Sequence, residues 1–249
     1  MRKYLMLVTA VAALIAVSVA GIATGAKPVT VEAGNLVVTV NGEFKPNKLP
    51  KKKMAPIKLF ASGKIATKDG THPPALKQVI LKTDKNGAIN VKGIPVCKSG
   101  QLQSRDTKAA EKACKKAIIG SGKTTVEVQF PEQPPIDVNS KLVVFNGGFK
   151  GGTTTLFIHA YFSAPVTGAI VTTVKVKKKK EGRYGLNSVA TIPKIAGGSG
   201  SVKSFNLAIT KKGVLTAKCA DGKLQAHATS VFADGTKAAA TIIRPCKGT

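Results

Sequence analysis

The sequence predicts a mainly β fold, an antiparallel β-sandwich with one short helix near residues 104–117. Segments in which apolar and polar residues alternate recur along most of the chain, and this period of two is typical of strands with one buried face. Turn dipeptides, such as the Asp-Gly pairs that begin at Asp221 and Asp234, separate these segments. Many short strands with regular turns favour two packed antiparallel sheets.

Three strands are predicted before the helix, at residues 36–40, 57–66 and 76–83. The first is expected to end at Asn41 and Gly42, a common turn dipeptide. Residues 27–35 are predicted to be a polar leader. Residues 46–53 form a basic, proline-bounded loop in this prediction, because proline lacks the backbone N–H that regular structure needs.

Residues 104–117 break the strand pattern and predict a helix. Ala110, Ala113, Cys114 and Ala117 recur at helical spacing and form a narrow apolar stripe. Ser104 is expected to cap the N-terminus, with an aspartate in the first turn, where its charge suits the helix dipole. The side of the helix that carries Cys114 is predicted to be buried.

After the helix the pattern predicts strands to the end of the chain. Residues 169–178 and 185–192 are expected to form a long hairpin turned at 181–184. Prolines between 131 and 135 mark a possible sub-boundary near 131–140. Because the strands on both sides are alike, residues 27–249 are predicted to form a single unit. The other predicted strands are 124–130, 142–145, 156–162, 202–209, 214–219, 224–232 and 238–243.

Residues 1–26 have the pattern of a secretory signal peptide. Arg2 and Lys3 precede an uncharged apolar stretch of about 15 residues, shorter than the roughly 20 that span a bilayer. Cleavage after Ala20 and cleavage after Ala26 both suit a signal peptidase, and an uncleaved anchor is the alternative. We therefore expect a secreted protein, or one on an extracytoplasmic surface, without a transmembrane segment in its mature chain.

The chain has 4 cysteines, and an even number in an exported protein predicts disulfides. Three connectivities are possible. Cys97–Cys114 and Cys219–Cys246 are favoured, because each pair closes a short local loop. None of the four belongs to a C-x-x-C pair, so neither a thiol oxidoreductase nor a zinc site is predicted.

The chain is strongly basic, with 39 Lys and Arg against 12 Asp and Glu and a formal charge of +27. This excess is larger than solubility requires and predicts attraction to polyanions. For any one cluster, a solvated face that protects a sheet edge is the alternative. Lysine dominates over arginine and aromatic residues do not accompany it, so specific nucleic-acid recognition is not expected. The candidate contacts are Lys51, Lys52, Lys53, Lys177, Lys178, Lys179, Lys180 and Arg183.

No motif in the sequence predicts catalysis, a cofactor or a metal. The glycine-rich segments 146–154 and 197–201 lack both the spacing of a phosphate loop and a helix after it. His72 lies in a proline-rich loop, whereas His159 and His227 lie in predicted strands without a neighbouring carboxylate. Glu127 alternates with two valines and is therefore expected to face solvent.

Two segments resemble a group of exported proteins of soil actinobacteria to which no activity is assigned. One runs from Pro193 to Leu207 and includes Gly197-Gly198-Ser199-Gly200-Ser201. The other begins at Cys219-Ala220-Asp221-Gly222 and closes at Arg244-Pro245-Cys246. The resemblance covers most of the mature chain and implies export. It also supports the pairing of Cys219 with Cys246.

These observations predict an exported, non-enzymatic protein that associates electrostatically with anionic polymers or with the cell surface. One alternative is a small-molecule or lipid carrier with an apolar space between the sheets, lined by Phe145, Phe157 and Phe162. A third hypothesis is an enzyme of unrecognised type, centred on His159 or His227.

Overall fold

The computed structural model describes residues 21–24 and 27–249. The predicted signal peptide, residues 1–26, lies outside the described residues apart from Gly21–Thr24. The helical segments within these ranges are α1, Thr107–Ala113, and single 3₁₀ turns at Ser99–Gln101, Lys115–Ala117 and Ala196–Gly198. The strands are β1 Gly21–Thr24, β2 Val29–Ala33, β3 Leu36–Lys45, β4 Lys48–Leu49, β5 Ala55–Thr67, β6 Leu76–Asp84, β7 Gly87–Ile89, β8 Ile118–Val128, β9 Ile136–Lys150, β10 Thr153–Phe162, β11 Gly168–Glu181, β12 Tyr184–Thr191, β13 Gly200–Ile209, β14 Leu215–Ala217, β15 Lys223–Phe232, β16 Lys237–Pro245 and β17 Lys247–Gly248.

One large sheet contains fifteen of these strands. Its hydrogen-bonded order is β1-β16-β15-β6-β12-β11-β10-β9-β8-β13-β5-β14-β7, and β3 joins β2 to β5. Its strands pair antiparallel, except that β1 runs parallel to β16. The separate pair, β4 with β17, is also parallel.

The two edges of this sheet approach each other, so the sheet is nearly closed and barrel-like. Strand β16 packs against β2 and β3. At this seam Arg244 donates to the carbonyl of Gly42 at 2.6 Å, and to the carbonyl of Lys27 at 3.1 Å. The mainly β, antiparallel fold with one α-helix is confirmed. The sandwich is not confirmed, because one hydrogen-bonded path links the strands that a sandwich would divide between two sheets.

Alternating residues fill the interior near the seam. Val29, Val31, Leu36, Val38 and Ile242 belong to one buried cluster, together with Phe232. Strand β2 contributes to this cluster with the burial pattern of a half-buried strand. The prediction that residues 27–35 form a polar leader is therefore wrong.

Of two predicted interruptions of the strands, the first does not occur and the second does. Asn41 and Gly42 continue β3, where they pair with Ser62 and Ala61 of β5. The proline-rich segment 129–135 connects β8 directly to its neighbour β9, and Val128 pairs with Ile136. Both sides of the possible sub-boundary thus lie in the same sheet.

Helix α1 packs on the outer face of β9 and β10, and the disulfide Cys97–Cys114 holds it there. Cys114 and Ala110 are buried, as the apolar stripe predicted. The predicted cap is wrong, because Asp106 and not Ser104 is the N-cap residue. The Asp106 carboxylate accepts a hydrogen bond from Ala109 N at 2.8 Å, which satisfies one of the free N–H groups of the first turn.

The second predicted disulfide, Cys219–Cys246, is also present, and no cysteine is free. It packs with Leu49 and Ala217 in a small buried cluster. Because β4 and β17 flank this disulfide, the C-terminal residues are fastened to the loop that precedes β5. This end of the sheet carries most of the predicted basic clusters.

Candidate functional site

Five chain segments meet at the end of the sheet that contains Cys219–Cys246. They are the loop before β5, the β6–β7 turn, the β11–β12 turn, the segment before β15 and the C-terminus. Backbone hydrogen bonds of 2.9 to 3.0 Å join them, from Cys219 to Pro50, Lys51 to Thr249, Lys85 to Arg183 and Lys218 to Asn86. Lysines that are far apart in sequence therefore share one surface.

We call this surface the basic end and define it by its exposed lysines. They include all of the predicted contacts except Lys177 and Arg183. Lys177 is also exposed but lies further from the turn than Lys178, Lys179 and Lys180, and it pairs with Thr153 of β10. The lysines of the basic end are Lys48, Lys51, Lys52, Lys53, Lys85, Lys178, Lys179, Lys180, Lys223 and Lys247.

Arg183 has a different role from the lysines around it. Its guanidinium forms an ion pair with Asp84 at 2.7 Å and a second one with Asp221, and it donates to the carbonyl of Lys223 at 2.8 Å. These hydrogen bonds raise the pKa of Arg183, with Asp221 as the largest contributor. Arg183 therefore fastens three of the five segments together and is not presented to a partner.

The carboxylates of these segments are neutralised locally. Besides Asp84 and Asp221, Glu181 pairs with Lys82 at 2.6 Å and with Lys179. Hydrogen bonds from Lys179 and Lys82 lower the pKa of Glu181 to about 2. Apart from Lys179, the lysines of the basic end make no ion pair with a described residue, so most of their charge is available to a partner.

The opposite end of the sheet has a different composition. Half of the 12 acidic residues of the chain lie in its turns and connections or in the adjoining strand ends. Several of them pair with lysines there, as Glu32 does with Lys68 at 2.6 Å. Lysines of this end therefore neutralise part of its acidic charge. The acidic residues of this end are Glu32, Asp69, Glu127, Glu132, Asp137 and Asp234.

An apolar cavity of about 130 Å³ lies in the interior of the sheet at the basic end. Strands from both sides of the seam contribute to its wall. Its side chains include Phe44, Ile57, Leu59, Leu186, Leu215, Leu224 and Ile242.

The phenylalanines predicted to line an apolar space lie elsewhere. Phe145 and Phe157 pack with the Cys97–Cys114 disulfide under α1. Phe162 lines a smaller pocket of about 50 Å³ near the opposite end. None of the three lines the larger cavity.

At the opposite end, a loop histidine meets a strand carboxylate. His72 Nδ1 lies 2.8 Å from Glu127 Oε1, and His72 Nε2 lies 3.1 Å from Ser201 Oγ. Burial raises the pKa of Glu127, but hydrogen bonds from Lys203 and His72 outweigh burial and hold it below its usual value. The expectation that Glu127 faces solvent is wrong, because the loop that carries His72 covers it.

The order of these contacts, serine to histidine to acid, is the order found in serine hydrolases. However, Ser201 is only 1% exposed, and its hydroxyl donates to the carbonyl of Pro73. A substrate carbonyl has no access to a hydroxyl in this position. The cluster therefore anchors the loop before β6 onto β8 and β13.

His159 and His227 do not converge. His159 is fully buried under the segment before α1, and its Nε2 lies 3.0 Å from the carbonyl of Arg105. His227 lies on β15, where its Nδ1 is 2.9 Å from Thr241 Oγ1. Burial lowers the pKa of both, and nearby Lys82 lowers that of His227 further. In the described part of the chain, no three His, Cys, Asp or Glu side chains gather to hold a metal ion.

Comparison with known proteins finds no matching family model, no similar curated protein and no similar solved structure. No helix among the described residues has the length and hydrophobicity needed to cross a membrane. The two disulfides are typical of an extracytoplasmic protein.

Sequence reasoning missed both the His72–Glu127 contact and the cavity. Glu127 lies between two valines, a position in which an acidic residue usually faces solvent. Its contact with His72 spans 55 residues and depends on which strands become neighbours. The lysines, in contrast, could be found from local sequence alone, because their exposure follows from their charge.

Proposed function

We propose that this chain is an exported, non-enzymatic protein that attaches to anionic polymers of the cell envelope through the basic end. The observation that carries the proposal is the gathering of exposed lysines from five segments onto one surface whose own carboxylates are already paired. A surface of one charge sign attracts a polyanion over a distance set by the Debye length, about 8 Å at physiological salt.

The mechanism of attachment is electrostatic and tolerant of polymer sequence. Lysine ammonium groups act as hydrated point charges, whereas bidentate phosphate recognition would use arginine. Arg183 is held by Asp84 and Asp221. Binding would release counterions from the polymer, so the affinity would fall steeply as salt rises.

Export is supported by the leader pattern of residues 1–26 and by the two disulfides, which persist in oxidising compartments. The resemblance to exported proteins of soil actinobacteria points in the same direction. An extracytoplasmic location would bring the basic end within reach of anionic wall polymers.

The test measures retention on immobilised poly(glycerol phosphate) across a salt series. One variant replaces Lys51, Lys52, Lys53 and Lys180 with glutamine. The matched control replaces the exposed Lys108, Lys112, Lys115 and Lys116 at α1, which changes the net charge equally. Each lost phosphate contact lowers the slope of log K against log salt by about 0.7 to 0.9, so the basic-end variant is expected to lose about three from the slope.

The control variant is expected to keep most of the slope, because its lysines lie on α1 and the 3₁₀ turn after it, outside the five segments of the basic end. Equal losses in both variants would show that net charge alone drives retention and would contradict the proposed site. No retention of the unaltered protein at low salt would contradict the proposed function itself.

A further inference from the structure

The cavity at the basic end is partly open to the surface and extends into the interior of the sheet, where close packing usually leaves no space larger than a water molecule. Its volume of about 130 Å³ is close to that of an apolar cavity of about 150 Å³ known to bind benzene. Its wall is almost entirely carbon, which suits an apolar guest and disfavours ordered water.

Small residues leave this space open. Gly42, Gly87, Ala88, Ala217 and Ala226 line the cavity at strand positions where larger apolar residues usually fill a core. Close packing does not require the glycine at 42. A Cβ placed there would meet only Ile242 Cδ1, at an ordinary contact distance of 3.7 Å.

Three lysines are sequence neighbours of residues that line the cavity. Lys85 follows the lining residue Asp84, Lys218 follows Ala217, and Lys223 precedes Leu224. Two acidic residues, Asp84 and Glu43, line the cavity, and each has an arginine close to it. Arg183 pairs with Asp84 at 2.7 Å, and Arg244 lies near Glu43, so their charges would repel a bound anion less than unpaired carboxylates would. An apolar group in the cavity would therefore leave an attached anion at the end of the sheet on which Lys85 and Lys223 are exposed.

We propose that this cavity binds the apolar end of a small anionic amphiphile, an alkyl or aryl group about the size of benzene. The attached carboxylate or phosphate contacts Lys85 or Lys223 at the rim. This site goes beyond attachment to a polymer, because the polymer needs only the exposed lysines and the amphiphile needs the interior.

The test compares phenylacetate with its uncharged isostere phenylacetamide and with acetate, using ligand-observed NMR and calorimetry. Phenylacetate is expected to bind at least tenfold more tightly than phenylacetamide, and acetate is expected not to bind measurably. Raising the salt concentration is expected to weaken the binding of phenylacetate and to leave the binding of phenylacetamide unchanged, because only phenylacetate is charged.

Two substitutions that fill the cavity distinguish binding in the cavity from binding to the surface lysines. Gly42→Val and Ala226→Leu are each expected to abolish phenylacetate binding. Ala226→Leu provides the test if Gly42→Val does not fold. Ala239→Val adds a similar volume on the other face of β16, by strand alternation, and is expected to retain binding. A Lys85→Gln/Lys223→Gln variant is expected to bind phenylacetate no better than phenylacetamide.

Three outcomes would overturn this site. They are no binding of phenylacetate, equal binding of phenylacetate and phenylacetamide, and undiminished binding by a folded Gly42→Val or Ala226→Leu variant. Retention on poly(glycerol phosphate) is expected to be the same in Gly42→Val as in the unaltered protein. The site can therefore fail while polymer attachment stands.

Discussion

Arg183 shows how one side chain organises the basic end. It joins the β11–β12 turn to Asp84 at the end of β6 and to Asp221 before β15. Asp84 is 3% exposed and also accepts hydrogen bonds from the backbone N–H groups of Asn86 and Gln225, both at 2.9 Å. Burying a carboxylate this deeply is costly unless it is paired and hydrogen-bonded.

Replacing Arg183 with alanine is therefore expected to destabilise the protein by about 3 kcal/mol, because it leaves the Asp84 charge buried without its cation. Chemical denaturation at neutral pH measures this loss. The matched control is Arg105→Ala, which removes an exposed arginine from the segment before α1 and is expected to change stability by less than about 0.5 kcal/mol. Similar values for the two variants would contradict the structural role of Arg183.

Glu181 predicts a pH dependence of stability. Its pKa lies at about 2 in the folded protein, against an ordinary value of 4.5. The ionised form is thus favoured by folding. The contribution of Glu181 to the stability of the fold is complete at pH values above its ordinary pKa and is lost as the pH falls toward 2. Glu181→Gln is therefore expected to lower stability at pH 6 and to flatten its decline between pH 5 and pH 2.

Denaturant midpoints at several pH values measure the effect. The control is Glu132→Gln, an exposed glutamate in the β8–β9 connection, which is expected to follow the unaltered protein. If Glu181→Gln and the unaltered protein declined in parallel, the ion pairs of Glu181 with Lys82 and Lys179 would not stabilise the fold.

Local sequence predicts these residues far better than their partners. The lysine clusters and turn aspartates stand out in the sequence, since charge and turn chemistry are local properties. Arg183 and Asp84 are 99 residues apart, and their contact exists only because β6 and β12 are neighbours. No pattern within either segment carries that information.

At the scale of elements, alternation located most strands because a half-buried strand needs a period of two. It failed for β2, whose short Val29–Ala33 segment was assigned to a leader. It also failed at Asn41 and Gly42, where pairing with β5 overrides the turn preference of the dipeptide. Tertiary pairing decided these positions.

The local spacing of the cysteines predicted both disulfides, and Cys97–Cys114 gives an element-scale prediction. A Cys97→Ala/Cys114→Ala variant is expected to lose about 3 kcal/mol of stability, because the disulfide restricts a short loop in the unfolded chain. It is also expected to expose Lys98, Arg105 and Lys108, which lie in this loop, to trypsin. Limited proteolysis with mass spectrometry identifies the cleavage sites.

The matched variant is Cys219→Ala/Cys246→Ala, which removes the other disulfide. It is expected to lose comparable stability while the loop before α1 stays resistant to trypsin. Equal cleavage of that loop in both variants would show that Cys97–Cys114 does not hold α1 on the sheet.

At the scale of the whole molecule, the sequence predicted the fold class and not the closure. Many short strands with regular turns led to a sandwich, but the same pattern also occurs in barrels. The choice between a sandwich and a barrel-like sheet depends on whether the last strands meet the first ones. Here Arg244 and the side chains of β2 bring β16 to the beginning of the chain, and such contacts between distant residues leave no periodic signal.

The exposed lysines of the basic end and the acidic residues of the opposite end make the charge of the molecule uneven along the sheet. An anionic surface would attract the basic end more strongly than the opposite end and would turn the lysine loops inward before any contact forms. Encounter would therefore be oriented, and the loop anchored by His72 and Glu127 would point away from the surface. A second molecule arriving later would meet that outward end, with its acidic turns, as the new exposed layer.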